Sequence, residues 1–232
     1  MAFDDLRTKI DEAFECGDTL LGMRSLERID EEHADNIEIS QYRLRLADLH
    51  FEMGKYNQDA DQIRRAYQCY RRFYKMNPSD PRAEYASYRA ILAQFHLTLR
   101  IECDPQAFIK TVQRCKKHLA NERFARGEHA QDVRDIYYTC ERNLIDREEY
   151  IFNIYVRGEK FRSAHNRINY LRRNYPHHTD LESRLLFLEC KLAIAEGEKD
   201  LSRQKASLLK ECFPESPYTA LAKNIIGKTK HT

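Results

Sequence analysis

The chain has 232 residues, and its 39 Lys and Arg residues nearly balance its 37 Asp and Glu residues, which leaves a formal net charge of +2. A surface that binds a polyanion carries a larger basic excess, so this balance disfavours a nucleic-acid-binding protein. Seven glycines, six prolines and no tryptophan indicate helices joined by short connections, and we expect an all-α protein. The sequence contains no apolar run of about 18 residues, the length that a membrane-spanning helix needs.

Apolar periodicity and helix-ending residues predict eleven helices. In chain order they lie near residues 3 to 16, 19 to 32, 37 to 53, 59 to 76, 81 to 100, 104 to 120, 128 to 156, 160 to 174, 179 to 196, 199 to 212 and 217 to 227. The stretch from Asn77 to Pro81 is predicted to join two of them, with Pro81 in the first turn of the second helix, where a missing N–H does no harm. The period is least clear in the polar segment 121 to 130.

A repeat connects several of these helices. Pro78, Pro176 and Pro214 each follow a helical pattern, and a small residue stands twelve positions before each of them: Ala66, Ala164 and Ser202. Apolar residues at the same two offsets complete the pattern, namely Tyr70 and Phe73, Ile168 and Leu171, and Ala206 and Leu209. Weaker copies run through Gly22, Leu26, Ile29 and Ala34 and through Phe108, Val112, Cys115 and Ala120.

This pattern is typical of tetratricopeptide repeats, in which a small residue lets two helices approach closely and a proline ends the second helix. We therefore predict an all-α, tetratricopeptide-repeat (TPR) superhelical solenoid of about five helical hairpins. It would occupy residues 1–232 as a single solenoid, with an N-terminal peptide-groove half at 1–120 and a C-terminal docking half at 121–232.

Residues with reactive side chains show no pattern typical of catalysis. Cys115 with His118, and His177 with His178, are metal-ligand types, but a structural zinc site needs about four clustered ligands. Cys140 or Cys190 could act as a nucleophile, although no local signature pairs either with a histidine. We therefore expect that the protein is not an enzyme and that it binds no metal and no cofactor.

The seven cysteines are scattered and odd in number, which indicates buried thiols rather than a disulfide framework. Cys69, Cys115 and Cys212 are predicted to lie close to the apolar stripes. Residues 64 to 75 and 167 to 175 interleave Arg with Tyr, and we interpret the rings as packing faces and the arginines as solvated; polyanion binding is the alternative.

Three segments carry a resemblance to a known family: "FYKMNPSDPRAEYASYRAIL", "DPQAFIKTVQRCKKHL" and "DREEYIFNIYVRGEKFRSAHNRINYLRRNYPHHT". In order and spacing they resemble the BamD family, also called ComL, of periplasmic TPR lipoproteins. The resemblance implies a five-repeat scaffold on the periplasmic side of the outer membrane, held there by a lipid anchor that we expect to lie outside the given sequence. The partners it implies are a BamA-like outer-membrane protein, other subunits of the β-barrel assembly machinery, and the C-termini of unfolded outer-membrane proteins.

Two other functions remain open from the residues. One is a cytoplasmic TPR adaptor or secretion chaperone, which the unpaired cysteines would suit. The other is an RNA-associated helical-repeat protein. A signal segment ending in a lipid-bearing cysteine would favour the BamD-like function over the first of these, and we expect the natural chain to carry one.

The predicted binding residues are those on the groove face that repeat packing does not need. They are Arg82, Tyr85 and Arg89 from the helix after Pro78, with Gln41, Arg45 and Asp48 from the helix before Gly54. Arginines can hold a carboxylate through charge-assisted hydrogen bonds, and Tyr85 offers a rigid ring. The alternative is that Tyr85 packs inward and the arginines only solubilise the groove. In the C-terminal half, the resemblance implies a partner-docking face at Arg184, Phe187 and Lys191.

Overall fold

The computed structural model describes residues 2–33, 38–99 and 104–228, and within them every regular element is a helix. In chain order the helices are α1 (Phe3–Glu15), α2 (Thr19–Glu32), α3 (Ile39–Tyr56), α4 (Ala60–Met76), α5 (Ala83–Leu99), α6 (Pro105–Leu119), α7 (Glu122–Ala125), α8 (Ala130–Arg157), α9 (Phe161–Asn174), α10 (Leu181–Ala195), α11 (Lys199–Cys212) and α12 (Pro217–Lys228). The all-α prediction is therefore confirmed, and eleven of these helices lie close to the predicted ranges.

The differences from the predicted ranges occur at three helices. The short helix α7 falls in the polar segment that the periodicity did not resolve. Helix α5 begins at Ala83, so Pro81 precedes the helix instead of lying in its first turn. Helix α3 continues through Gly54 to Tyr56, and Gly54 lies at a close helix contact, where a Cβ would be 2.6 Å from Cγ1 of Ile63 on α4.

Unit 1 runs to Cys140 and is built from consecutive packed helices. Its largest core cluster joins α3, α4 and α5 around the fully buried Phe51, Tyr70 and Phe73. Ala66 is also fully buried, as the repeat pattern predicts for the small position. Acidic residues cap α2, α4 and α6: the Asp59 carboxylate, for example, accepts hydrogen bonds from two backbone N–H groups of the first turn of α4.

Unit 2 begins at Glu141, within α8, and has its own core. Helix α10 packs against α9, α11 and α12. Ala164 is fully buried and Ser202 nearly so, as predicted, and Ile168, Leu171 and Leu209 line the core beside them.

The weaker copies of the repeat are only partly correct. Ala34 lies outside the described residues. On α6, Val112 and Cys115 are buried and Ala120 caps the end of the helix, as the pattern predicts, but Phe108 at the small-residue position is only half-buried. The buried residues of α6 also include Thr111 and His118, so only part of the pattern predicted for this copy is confirmed.

Candidate functional site

One face of α3 carries three of the six predicted groove residues. Gln41, Arg45 and Asp48 recur at helical spacing, and Glu52 continues the same stripe by another turn. The stripe divides into two parts, because Gln41 and Arg45 lie beside α1 whereas Asp48 and Glu52 contact α4 and α5.

Asp48 is the centre of a hydrogen-bond network. Its Oδ1 atom accepts a hydrogen bond from the Tyr70 hydroxyl at 2.5 Å and another from the Tyr85 hydroxyl at 2.7 Å. Burial, and then the Asp48 carboxylate, raises the pKa of Tyr70 well above its ordinary value; burial and the Asp48 hydrogen bond raise the pKa of Tyr85. Both hydroxyls therefore stay protonated and act as donors.

Arg89 completes this network from α5. Its Nε donates to the Tyr70 hydroxyl at 3.0 Å, and its Nη2 lies 3.2 Å from a Glu52 oxygen and 3.4 Å from Asp48 Oδ1. The guanidinium carbon lies 4.3 Å from the centroid of the Phe51 ring. The side chain is only 14% exposed, so Arg89 is a paired, stacked cation rather than the free groove cation that the sequence suggested.

We call Asp48, Glu52, Tyr70, Tyr85 and Arg89 the Asp48 network. Sequence reasoning identified three of its members and missed Glu52 and Tyr70. Tyr70 was assigned to the packing stripe, and its ring is indeed fully buried. A tyrosine can pack through its ring and still present a polar tip, and here that tip donates to Asp48.

Gln41 and Arg45 line a separate cavity of about 440 Å³ next to α1, together with Arg7, Asp11 and Tyr42. The Arg45 guanidinium carbon lies 3.7 Å from the centroid of the Phe14 ring, and its Nη1 is 3.9 Å from Asp11. Arg45 is 43% exposed, so this cation is more accessible than Arg89.

Arg82 is not part of the Asp48 network. Its guanidinium pairs with Asp80, and the ring of Phe73 lies 5.4 Å from its Cζ atom. The pair closes the turn that precedes α5, since the Asp80 carboxylate also accepts from the Arg82 backbone N–H.

The three residues predicted to dock a partner lie along α10 in unit 2. Arg184 contacts Glu149 and Asp146, both at 2.5 Å, and is buried. Phe187 is buried in the core with its ring 5.6 Å from that of Tyr218. Lys191 donates to the Asn153 side chain at 2.7 Å. Much of this set serves packing within unit 2, and its docking role stays a prediction.

A buried polar cluster on α5 also escaped the sequence analysis. The Glu84 carboxylate accepts hydrogen bonds from the His129 backbone N–H at 3.2 Å and lies 3.0 Å from His129 Nδ1. The Nε2 atom of His118 is 3.6 Å from the same carboxylate. Burial lowers the pKa of His118, so this ring favours the neutral form.

The cysteines divide into buried and exposed thiols. Cys115, Cys140 and Cys190 are buried, and burial raises their pKa values to about 12, 12 and 11. Such thiols are unreactive near neutral pH. Cys69 is half-buried with a pKa of about 11, whereas Cys212 is exposed, so its predicted place by an apolar stripe was wrong; Cys103 lies outside the described residues.

Among the described residues, no group of three or more His, Cys, Asp or Glu side chains is placed to hold a metal ion. No helix in residues 2–33, 38–99 or 104–228 combines the length and the apolar character needed to cross a membrane.

Comparison with known proteins places the chain in a family. The family model of YfiO, described as an outer membrane lipoprotein, matches residues 3–208. No curated protein matches the chain. Since the match covers most of the sequence, the chain belongs to the YfiO family of outer membrane lipoproteins, the family that includes BamD.

Proposed function

We propose that this protein is a non-catalytic scaffold subunit of the outer-membrane β-barrel assembly machinery, built as a TPR solenoid. It would bind unfolded outer-membrane proteins through unit 1 and dock a BamA-like protein through unit 2. Family membership supports a place on the periplasmic side of the outer membrane. The buried small residues Ala66, Ala164 and Ser202 support the repeat assignment.

The observation that carries the binding proposal is the pairing of Arg89 with Glu52. Arg89 is held rigidly by Tyr70 and Phe51, so its guanidinium is preorganised. Glu52, by contrast, is 59% exposed, and exposed ion pairs contribute only about 0 to 1 kcal/mol. A peptide C-terminal carboxylate can therefore replace Glu52 on Arg89 at little cost, making the same charge-assisted contact.

The half-buried ring of Tyr85 lies beside this guanidinium, with the Arg89 Cζ atom 5.8 Å from the ring centroid. An aromatic side chain near the end of the peptide can pack on Tyr85 while its carboxylate meets Arg89. The stripe from Gln41 to Glu52 is about 16 Å long, the length of about five residues of extended peptide. Arg45 and Gln41 would then contact backbone carbonyls farther from the peptide's end.

The experiment is a titration of a labelled peptide with the sequence of an outer-membrane protein C-terminus. Wild-type protein should bind, and Tyr85→Ala and Arg89→Ala should each weaken binding by about 1 to 3 kcal/mol. Arg82→Ala is the matched control, because it removes a cation of the same segment that lies outside the Asp48 network. Circular dichroism and thermal unfolding check that each variant is folded.

Equal affinity of wild type, Tyr85→Ala and Arg89→Ala would place the peptide site elsewhere. Absence of binding even by the wild type would leave only the docking of a BamA-like partner. A loss of peptide affinity confined to Arg82→Ala would indicate that the site lies at the turn before α5.

A further inference from the structure

A second cavity, of about 270 Å³, lies in unit 1 among α4, α5, α6 and α7. Helix α5 contributes Ser87 and Ile91 to its wall. These residues are two positions from Tyr85 and Arg89, and two residues turn an α-helix by about 200°. The cavity therefore lies on the face of α5 opposite the Asp48 network.

Three cationic side chains line this cavity, and none of its lining residues is acidic. Lys75 comes from α4, and Arg114 and Lys117 come from neighbouring positions on α6. Within the described residues none of the three forms an ion pair, although most other arginines of unit 1 do. The cavity is thus a local excess of about three positive charges in a chain whose net charge is only +2.

Three buried polar atoms of the lining residues have no hydrogen-bond partner among the described residues: the Tyr67 hydroxyl, Arg114 Nε and His118 Nε2. His118 Nε2 lies 3.6 Å from the Glu84 carboxylate, which leaves the Tyr67 hydroxyl and Arg114 Nε as two donors without any acceptor nearby in the described part of the chain. The Arg114 guanidinium carbon lies 4.8 Å from the centroid of the Tyr67 ring, so the two side chains stack. Buried polar groups are nearly always paired in folded proteins, and two unpaired donors beside one cavity indicate a bound acceptor.

The remaining wall is apolar and aromatic. Tyr74, Ile91, Phe124 and Pro78 all face this space. His118 stands at the same wall, and its Nδ1 atom lies 3.0 Å from Ser87 Oγ. Anion-binding groups and an apolar surface thus meet in one pocket, as in sites that bind an organic molecule with a charged head.

We propose that this cavity binds an organic phosphate, meaning a phosphate group carried on a compact apolar or aromatic body. A phosphate dianion balances the three cations better than a singly charged carboxylate does. Arg114 and the Tyr67 hydroxyl donate to the phosphate oxygens, Lys75 and Lys117 close over it from the rim, and the apolar body packs on Tyr74 and Phe124. This site and the peptide site of the proposed function occupy opposite faces of α5, so either can fail without the other.

The chemistry fits a soluble organic phosphate or a lipid headgroup, and two probes distinguish these sources. Calorimetric titration with phenyl phosphate, inorganic phosphate and benzoate tests the soluble source. Co-sedimentation with phosphatidylcholine vesicles, with and without phosphatidic acid, tests the lipid source. The variants are Arg114→Gln and Lys117→Ala, and Lys110→Ala is the matched control because it removes an exposed charge of α6 outside the cavity.

Phenyl phosphate should bind more tightly than inorganic phosphate or benzoate, and each cavity variant should weaken it about tenfold while Lys110→Ala leaves it unchanged. The same variant pattern with phosphatidic acid vesicles alone would support the proposal with a lipid as the source. Equal affinities for phenyl and inorganic phosphate would indicate an adventitious ion only and overturn it. Absence of binding to every probe, or equal losses in Lys110→Ala and Lys117→Ala, would also overturn it.

Discussion

Units 1 and 2 each hold an arginine between two carboxylates, and the two arrangements differ in how tightly the arginine is bound. In unit 2, Arg184 contacts Glu149 and Asp146 at 2.5 Å each. In unit 1, Arg89 contacts Glu52 and Asp48 at 3.2 and 3.4 Å. The short contacts in unit 2 are typical of a structural clamp, whereas the longer contacts in unit 1 hold Arg89 less tightly, as the proposed exchange of Glu52 for a peptide carboxylate requires.

The aromatic residues predicted for the two sites show a second contrast. Phe187 on α10 is buried in the core of unit 2, where it can offer little surface to a partner. Tyr85 on α5 is half-buried, with its hydroxyl held by Asp48 and part of its ring accessible. A rigid, partly exposed aromatic residue next to a rigid cation is better suited to bind a peptide than a core phenylalanine on the same helix as a clamped arginine.

The largest effect should come from removing the clamp of unit 2. Arg184→Met should destabilise the protein by about 2 to 3 kcal/mol, because it removes two charge-assisted hydrogen bonds and leaves the Glu149 carboxylate without its cation. Urea denaturation measures the change. Arg203→Met on α11 removes an arginine that is 60% exposed and should change stability by about 0.5 kcal/mol or less. If Arg184→Met loses no more stability than Arg203→Met, the structural role assigned to Arg184 is contradicted.

A second variant tests whether the two units use small residues in the same way. Ala164 is fully buried on α9, as Ala66 is on α4. Ala164→Leu should overpack the helix contact and cost about 1 to 3 kcal/mol. Ala195→Leu, at an exposed alanine at the end of α10, is the control and should have little effect. An unchanged denaturation midpoint for Ala164→Leu would mean that the close approach assigned to this position is wrong.

Acidification should destabilise unit 1 through His118. Burial lowers the pKa of His118 below its ordinary value of 6.5, so the unfolded chain takes up this proton first as the pH falls. The contribution of the neutral His118 ring to the free energy of unfolding is therefore complete above about pH 6.5 and is lost as the pH falls below that value. Denaturation midpoints measured from about pH 7.5 to 5.5 should fall less steeply in His118→Gln than in wild type. His165→Gln, at an exposed histidine of unit 2, should keep the wild-type slope; identical slopes in all three proteins would rule out this role for His118.

The smallest effect concerns Glu52, the carboxylate of unit 1 that we propose a peptide replaces. Glu52→Gln removes the group that competes with a peptide carboxylate for Arg89, so affinity for the peptide should increase about two- to fivefold. Glu38→Gln, an exposed acidic residue just before α3, is the control for a change in net charge. A decrease in affinity for Glu52→Gln would show that Glu52 supports the site rather than occupying it.

The positions of the helices were predictable because they depend on local signals. Asp59 and Asp104 cap the helices that follow them, and apolar spacing defines the faces that pack. Gly54 shows the limit of such signals: the helix predicted near residues 37 to 53 continues through this glycine to Tyr56, and Gly54 lies at a close contact with Ile63 that no local pattern specifies.

The partners of the site residues were not predictable, because they come from distant parts of the chain. Asp48 accepts hydrogen bonds from two tyrosines that lie 22 and 37 positions farther along the chain, and no helical pattern specifies those pairs. For the same reason Arg89 was identified as a groove residue while its pairing with Glu52 was not. Spacing predicts the face on which a residue lies, but whether its charge is free depends on tertiary contacts.

The proposed binding of a peptide's terminal carboxylate by Arg89 is tested most directly by a double-mutant cycle. The same outer-membrane-protein C-terminal peptide is prepared as a free acid and as a C-terminal amide, and each is titrated against wild type and Arg89→Gln. Amidation should weaken binding to wild type about tenfold and leave binding to Arg89→Gln nearly unchanged, because the contact that the carboxylate makes is already lost. An equal loss on amidation in both proteins would show that the carboxylate is bound elsewhere and would contradict the account.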